Sequence, residues 1–205
     1  MRYQAALHPG APWRRQRPSL VNTGPMAGTV TGPADLAAEL SQLEPRCGEA
    51  VVVAIDGPSG AGKTKLAREL APLLGAQILH LDDIYRGWHG LADAPPVVVR
   101  DVLEPISRGE AGRTPRWEWG ADRPGDDIVV EPGGLVILDG CGSGSRTIRP
   151  FLSFLIWLDG PVDVRRARAM ARDGETYEKW WDIWAAQEQE LFTAELTAAA
   201  ADLRP

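Results

Sequence analysis

Residues 50 to 75 join three patterns whose order leaves few folds open. Ala50-Val51-Val52-Val53-Ala54-Ile55 is apolar and rich in β-branched residues, which predicts a strand buried on both faces in a parallel sheet. Gly57-Pro58-Ser59-Gly60-Ala61-Gly62-Lys63-Thr64 follows, a complete G-x-x-x-x-G-K-S/T phosphate loop. Residues 64–74 then set Leu66, Leu70, Leu73 and Leu74 on one helical face, and Gly75 is a stop signal. Strand, glycine-rich turn and helix in this order build an anion cradle. Gly57, Ser59, Gly60, Ala61, Gly62 and Lys65 form the loop and helix start, where N–H groups face an anion at the positive end of the helix. Lys63 reaches the outer phosphates and Thr64 offers a hydroxyl to a metal, so the expected ligands are ATP and Mg²⁺. Lysine usage adds weight. Only Lys63, Lys65 and Lys179 occur beside 19 arginines, and one of the three falls where a compact ammonium on a flexible stem is needed.

Composition narrows the class further. With 205 residues, 44% apolar and 24% charged, the chain suits a single α/β domain with a substantial core. A net charge of -6 opposes general nucleic-acid binding, which calls for a basic surface, and leaves individually positioned anionic ligands open. Cys47 and Cys141 have no metal-ligand spacing and make no disulfide framework, which fits a reducing cytoplasm; Cys141 reads as a packing residue rather than a nucleophile. No apolar stretch reaches membrane-spanning length, so no membrane partner is expected. Residues 1–33 stand apart, with four arginines, no acidic residue and Pro9, Pro12, Pro18, Pro25 and Pro33. They read as a disordered extension ahead of a domain over residues 34–205, with Met26 as the expected natural start. The prolines oppose an amphipathic targeting helix, and no apolar run follows.

Beyond Pro33 the pattern is regular. Residues 34–43 predict a short helix, 76–79 a second strand, and 97–108 a helix with Val98, Val102, Leu103 and Ile106 inward. Residues 113–127 read as a polar, tryptophan-bearing loop. Residues 134–140 and 154–159 read as strands, 161–172 and 176–201 as helices. The alternation predicts an α/β fold of three layers, a mainly parallel sheet flanked by helices. Ligands of such sheets gather at the carboxyl ends of the strands, where Lys63, Asp82 and Asp139 fall.

Asp139 closes an apolar strand in the Walker B manner, which favours a metal role over a turn or capping role before Gly140. Asp82 and Asp83 follow the second strand, taken as a neighbour of the phosphate-loop strand. A carboxylate there accepts the proton of an attacking hydroxyl, or the pair is a solvated turn; the residues alone leave both open. Arg165, Arg166, Arg168 and Arg172 crowd one helix before Asp173-Gly174-Glu175. Arg168 and Arg172, spaced i,i+4, share a face and can reach one anion together. Trp180, Trp181 and Trp184 suggest packing, and nothing in the sequence decides whether Glu188 faces the site.

The phosphate loop, Asp82-Asp83-Ile84-Tyr85, Val102-Leu103-Glu104-Pro105-Ile106 and Leu138-Asp139-Gly140 together resemble the uridine kinase family of P-loop kinases. The likeness covers roughly residues 48–192, and the broad group includes phosphoribulokinase and bacterial pantothenate kinase. It implies that Asp82 is the catalytic proton acceptor and that Tyr85 lies near a nucleobase, with Ile84 in place of the family's usual aromatic. It likens Arg116-Trp117-Glu118-Trp119 to the family's base-binding segment, so that Trp117 and Trp119 stack on a base; the alternative is that they staple a long loop to the body. It further implies a helical lid whose Arg168 and Arg172 neutralise the transferred phosphoryl group. A last strand after the final helix is also implied. The residues past Ala201 do not supply one, so either the sheet lacks that edge or the sequence is truncated. The activity implied is transfer of the γ-phosphate of ATP to a hydroxyl of a small molecule, first a nucleoside. Rivals are pantothenate, a sugar or an antibiotic as acceptor, and a regulatory ATP-binding protein. No N-K-x-D string supports guanine recognition. Homo-oligomerisation is left open.

Overall fold

The unbroken apolar run before the phosphate loop lies inside a sheet, as a strand with no polar face must. The computed structural model describes residues 32–204, apart from the side chains of residues 175 and 176. Helix α1 (Pro33–Leu40) leads to β1 (Ala50–Asp56), α2 (Lys63–Leu74) and β2 (Gln77–His80). A helical segment follows, made of α3 (Ala94–Val98), a wide π turn (Val99–Leu103) and α4 (Glu104–Ser107). Next come β3 (Gly112–Glu118), β4 (Arg123–Val130), β5 (Gly134–Asp139) and β6 (Phe154–Trp157). Helices α5 (Val162–Glu178), α6 (Trp181–Glu195) and α7 (Thr197–Ala200) complete the fold. The extension expected over residues 1–33, and Met26 with it, lies outside the described residues save for Gly32 and Pro33. Pro33 is the first residue of α1, where its missing N–H costs nothing.

Strands β2, β5, β1 and β6 run parallel in that order. β5 thus stands between β1 and β2, which corrects the expectation that the second strand is β1's neighbour. The register sets Asp139 opposite Ile55 on one side and His80 on the other. Val52, Ala54, Val136 and Leu138 are fully buried, and Val98, Val102, Leu103 and Ile106 pack into the same core, as their spacing predicts. On α2 the buried face is Lys63, Ala67 and Leu70, while Leu73 is exposed. Pro105 cannot donate to the carbonyl of Asp101, and the π turn lies where that bond is lost.

Residues 113–127 are mostly strand, not loop. β3 and β4 form an antiparallel hairpin with a register shift between Pro115 and Trp117. Pro115 and Pro124 are tolerated because a two-stranded ladder consists of edges. Gly112 lets the hairpin approach the helical segment, for a Cβ there would lie 2.7 Å from Val102 Cα. The helix carrying the arginines breaks at Gly174 (φ 63°, ψ −150°). The residues past Ala201 also differ from expectation: Leu203 makes a parallel bridge with Ile156, donating to the Leu155 carbonyl and accepting from the Trp157 N–H at 2.9 Å. The edge position beside β6 is occupied, although by one bridge rather than a strand. Among the described residues no helix is long and apolar enough to cross a membrane.

Gly57 tests the strand-to-loop transition. It has φ +137°, and a Cβ there would sit 1.9 Å from the Leu158 carbonyl oxygen. Gly57→Ala should therefore lower the unfolding free energy by about 3 kcal/mol, from combined backbone strain and overpacking. Urea denaturation measures it, and a loss below about 1 kcal/mol would show that β6 can yield.

Candidate active site

The loop after β1 is anchored by a residue outside the motif. Asp56, fully buried at the end of β1, accepts hydrogen bonds from the backbone N–H groups of Gly57 (2.6 Å), Gly142 (3.0 Å) and Gly144 (2.8 Å). Its carboxylate thereby joins the phosphate loop to the loop that follows β5. Gly60, at φ +78°, lies under the first turn of α5, where a Cβ would come within 2.2 Å of the Arg165 carbonyl oxygen.

Not every residue of the expected cradle is available to an anion. The N–H of Gly57 is committed to Asp56, that of Ser59 to Glu188 (2.9 Å) and that of Ala61 to the Pro58 carbonyl (3.2 Å). This corrects their reading as phosphate donors. The start of α2 leaves the N–H groups of Gly62, Lys63, Thr64 and Lys65 without intrahelical acceptors, so these remain. The Lys65 side chain itself turns away, 3.8 Å from Glu69 at the surface.

Lys63 is buried at the centre of the site, its Nζ donating to the Pro58 carbonyl at 3.1 Å and lying 3.5 Å from Cys141 Sγ. Burial opposes its charge, but Cys141, Glu188, Asp82 and Asp139 around it outweigh that and hold it protonated. Asp139 Oδ2 pairs with His80 Nδ1 at 2.7 Å, a contact set by the β2–β5 register. That hydrogen bond raises the His80 pKa against the opposing effect of burial. Asp139 Oδ1 is buried without a hydrogen-bond partner. A buried carboxylate oxygen without a protein partner is a donor that suits a hard cation such as Mg²⁺, and Thr64 at the start of α2 offers a hydroxyl. Asp82 is solvent-exposed, yet the protein around it removes enough water to raise its pKa. Asp139 adds to the rise, while Lys63 and Arg172 oppose it.

The acceptor-side residues are sorted by burial. Tyr85 is 1% exposed, donates its hydroxyl to the Cys141 carbonyl at 2.8 Å and meets Trp184 edge-on. It is a wall of the core, which corrects its reading as a substrate contact. Trp117 packs in a small cleft with Ile84, Val97 and Pro124. Trp119 lies at the rim, donating Nε1 to the Asp82 carbonyl at 2.9 Å and tilted against Trp88 at 4.8 Å. Trp88 in turn stacks on Trp180 (5.6 Å, 7°) and touches Tyr177 and Trp184, so the hairpin and the lid share one aromatic cluster. Arg116 pairs with Asp83 at 2.8 Å.

Of the arginines on α5, Arg172 forms a bidentate pair with Asp173 and feels Asp82 electrostatically, and Arg168 is exposed. Arg165 is the one that reaches the loop, donating to the carbonyls of Ser59 and Gly160 at 3.0 Å. Sequence reasoning missed Asp56 and set Arg165 behind Arg168 and Arg172. A buried carboxylate directly before a glycine loop was the signal available for Asp56. For Arg165 there was none, because its target is a backbone carbonyl.

The architecture is an α/β P-loop fold, a mainly parallel sheet flanked by helices. A possible uridine kinase from Bacillus stearothermophilus superposes with a TM-score of 0.59 at 19% identity, over 84% of this chain and 96% of that one. A family model described as cytidylate kinase matches residues 53–95, from β1 to the start of α3. Cytidylate kinase from Halobacterium salinarum is 28% identical over 137 residues, 62% of this chain and 60% of its own length. Uridine kinase from Brevibacillus brevis is 27% identical over 146 residues, 62% of this chain and 68% of its own. In sequence and fold the chain is similar to P-loop kinases of nucleosides and nucleotides. The chain spans about three fifths of the length of the cytidylate kinases it matches.

Asp56 makes the site's stability depend on pH in an unusual direction. Burial pushes its carboxyl up to about 6, against the three N–H bonds and Lys63, which pull it down. The folded chain keeps this proton where the unfolded chain has lost it. The stabilisation is therefore complete below about pH 4 and is lost as pH rises through about 6. Urea titrations of the native chain and Asp56→Asn between pH 4.5 and 7.5 should show the native chain's relative stability falling by about 2 kcal/mol. A flat difference would mean that the N–H bonds hold the carboxylate ionised throughout.

Proposed function

We propose that the chain is an ATP- and Mg²⁺-dependent phosphotransferase that moves the γ-phosphate to a hydroxyl of a nucleoside-like small molecule. The observation that carries this reading is the meeting of three strand ends. β1 delivers the phosphate loop, β5 delivers Asp139, and β2 delivers Asp82, with the buried Lys63 ammonium charged among them. A protein that only bound nucleotide would have no use for a solvent-exposed carboxylate on the acceptor side.

Lys63 and the N–H groups at the start of α2 hold the β- and γ-phosphates. Thr64 and Asp139 would hold Mg²⁺, which would offset the negative charge that develops during transfer. Asp82 accepts the proton of the acceptor hydroxyl, and its raised pKa makes it a better base than an ordinary aspartate. Arg172, within the field of Asp82, and Arg168 on the same helix add positive charge from the lid. Trp119, 37% exposed beside Trp88, offers a ring face for a base at the rim.

A nucleoside monophosphate as acceptor is the second reading, favoured by the cytidylate kinases among the relatives. The Asp82 carboxylate on the acceptor side disfavours an anionic acceptor, and Arg116 is already paired with Asp83. The decisive assay supplies Mg·ATP with nucleosides, nucleoside monophosphates, pantothenate and sugars, and identifies the product by mass. Phosphorylated nucleoside is expected, and Asp82→Asn should lower kcat by roughly 10²- to 10⁴-fold while ATP affinity changes little. Phosphorylation of monophosphates alone, undiminished in Asp82→Asn, would transfer the assignment to the second reading.

A further inference from the structure

Ser59 stands at a position where the phosphate-loop motif accepts any residue, yet it collects contacts from three lid side chains. Its N–H and Oγ both donate to Glu188 Oε1, at 2.9 and 2.6 Å. Its side chain also shares a hydrogen bond with the Tyr177 hydroxyl, and its carbonyl accepts from Arg165 at 3.0 Å. Glu188 is itself 3% exposed on α6. Beyond Ser59, its Oε1 accepts from Trp184 Nε1 at 2.9 Å and from Cys141 Sγ at 3.0 Å.

A carboxylate this deeply buried needs compensation, and here the compensation comes from three separate elements. The phosphate loop supplies Ser59, the loop after β5 supplies Cys141, and the lid helix supplies Trp184. We infer that Glu188 and Ser59 form a latch that holds the phosphate loop in its anion-accepting shape before any ligand arrives, and that ties this shape to the lid helices. Glu188 is a positioning residue: it acts on phosphate through Ser59 and the backbone between Gly57 and Lys63. Its charge is not what the latch requires. A neutral amide oxygen can accept the same hydrogen bonds, and its lack of charge would reduce repulsion toward an incoming polyphosphate. Pre-ordering the loop raises affinity because ordering no longer has to be met on binding. The inference deepens the nucleotide-binding reading above, and it rests on that reading only for the identity of the ligand.

Two measurements on the full chain test it. Amide hydrogen exchange across residues 57–64, without nucleotide, should be faster by tenfold or more in Glu188→Ala and close to native in Glu188→Gln. Calorimetric titration with Mg·ATP should show roughly ten- to hundredfold weaker binding in Glu188→Ala, the scale of lost hydrogen bonds to a charged group, with Glu188→Gln at least as tight as native. Should Glu188→Ala fail to fold, Ser59→Ala removes the 2.6 Å bond alone, and it should speed exchange and weaken binding several-fold. Native exchange and native affinity in the alanine variants would overturn the latch. So would a Gln variant as defective as Ala, because charge would then be the working property. Exchange is read without ligand, so it decides the latch even if Mg·ATP proves not to bind. Failure of ATP binding in the native chain would instead count against the proposed function.

Discussion

The buried carboxylate of Asp56 is the point on which the site depends. Three backbone N–H groups from two different loops converge on it, and none could be left unpaired in the interior at low cost. By accepting from Gly57 it sets the direction in which the phosphate loop leaves β1. By accepting from Gly142 and Gly144 it sets the path of the chain after Asp139. The phosphate loop and the chain that follows Asp139 are thus held to one another by a residue outside both motifs.

Around that anchor the charges are balanced rather than merely assembled. A single ammonium, Lys63, lies within the field of Glu188, Asp82 and Asp139, so carboxylates outnumber it there. Such a site suits a ligand that arrives with a divalent cation, because the cation offsets both the phosphates and the surrounding carboxylates. The lid contributes positive charge from the other side, and Arg165 shows that part of this charge serves structure, bonding to carbonyls of the loop it covers. The aromatic cluster from Trp119 through Trp88 to Trp180 and Trp184 joins the hairpin to the same lid. Lid, hairpin and phosphate loop are therefore linked on both the phosphate and acceptor sides of the cleft.

Much of this was legible in the residues. The β-branched run, the glycine spacing, Lys63 and Thr64 prescribe a strand, loop and helix by local rules alone, and the apolar run ending at Asp139 prescribes a second strand with a carboxylate at its tip. The hairpin over residues 112–130 was not legible, because Pro115, Pro124 and the Asp126-Asp127 pair lower strand propensity, and only cross-strand pairing against the helical segment overrides it. Tyr85 was set near a nucleobase by resemblance alone, whereas its burial depends on Trp184, about a hundred residues further on.

The sequence by itself determined the phosphate loop, the strands that flank it and the carboxylates at their ends, since each is set by a short run of neighbours obeying local backbone and periodicity rules. Only the tertiary structure decided that β5 lies between β1 and β2 and so puts His80 on Asp139. It alone decided that Ser59 is held by Glu188, and that Arg165 rather than Arg168 grips the loop. Those contacts join residues up to 129 positions apart. Partnership at such separation follows from which surfaces the whole chain buries together, and no pattern within a short window records it.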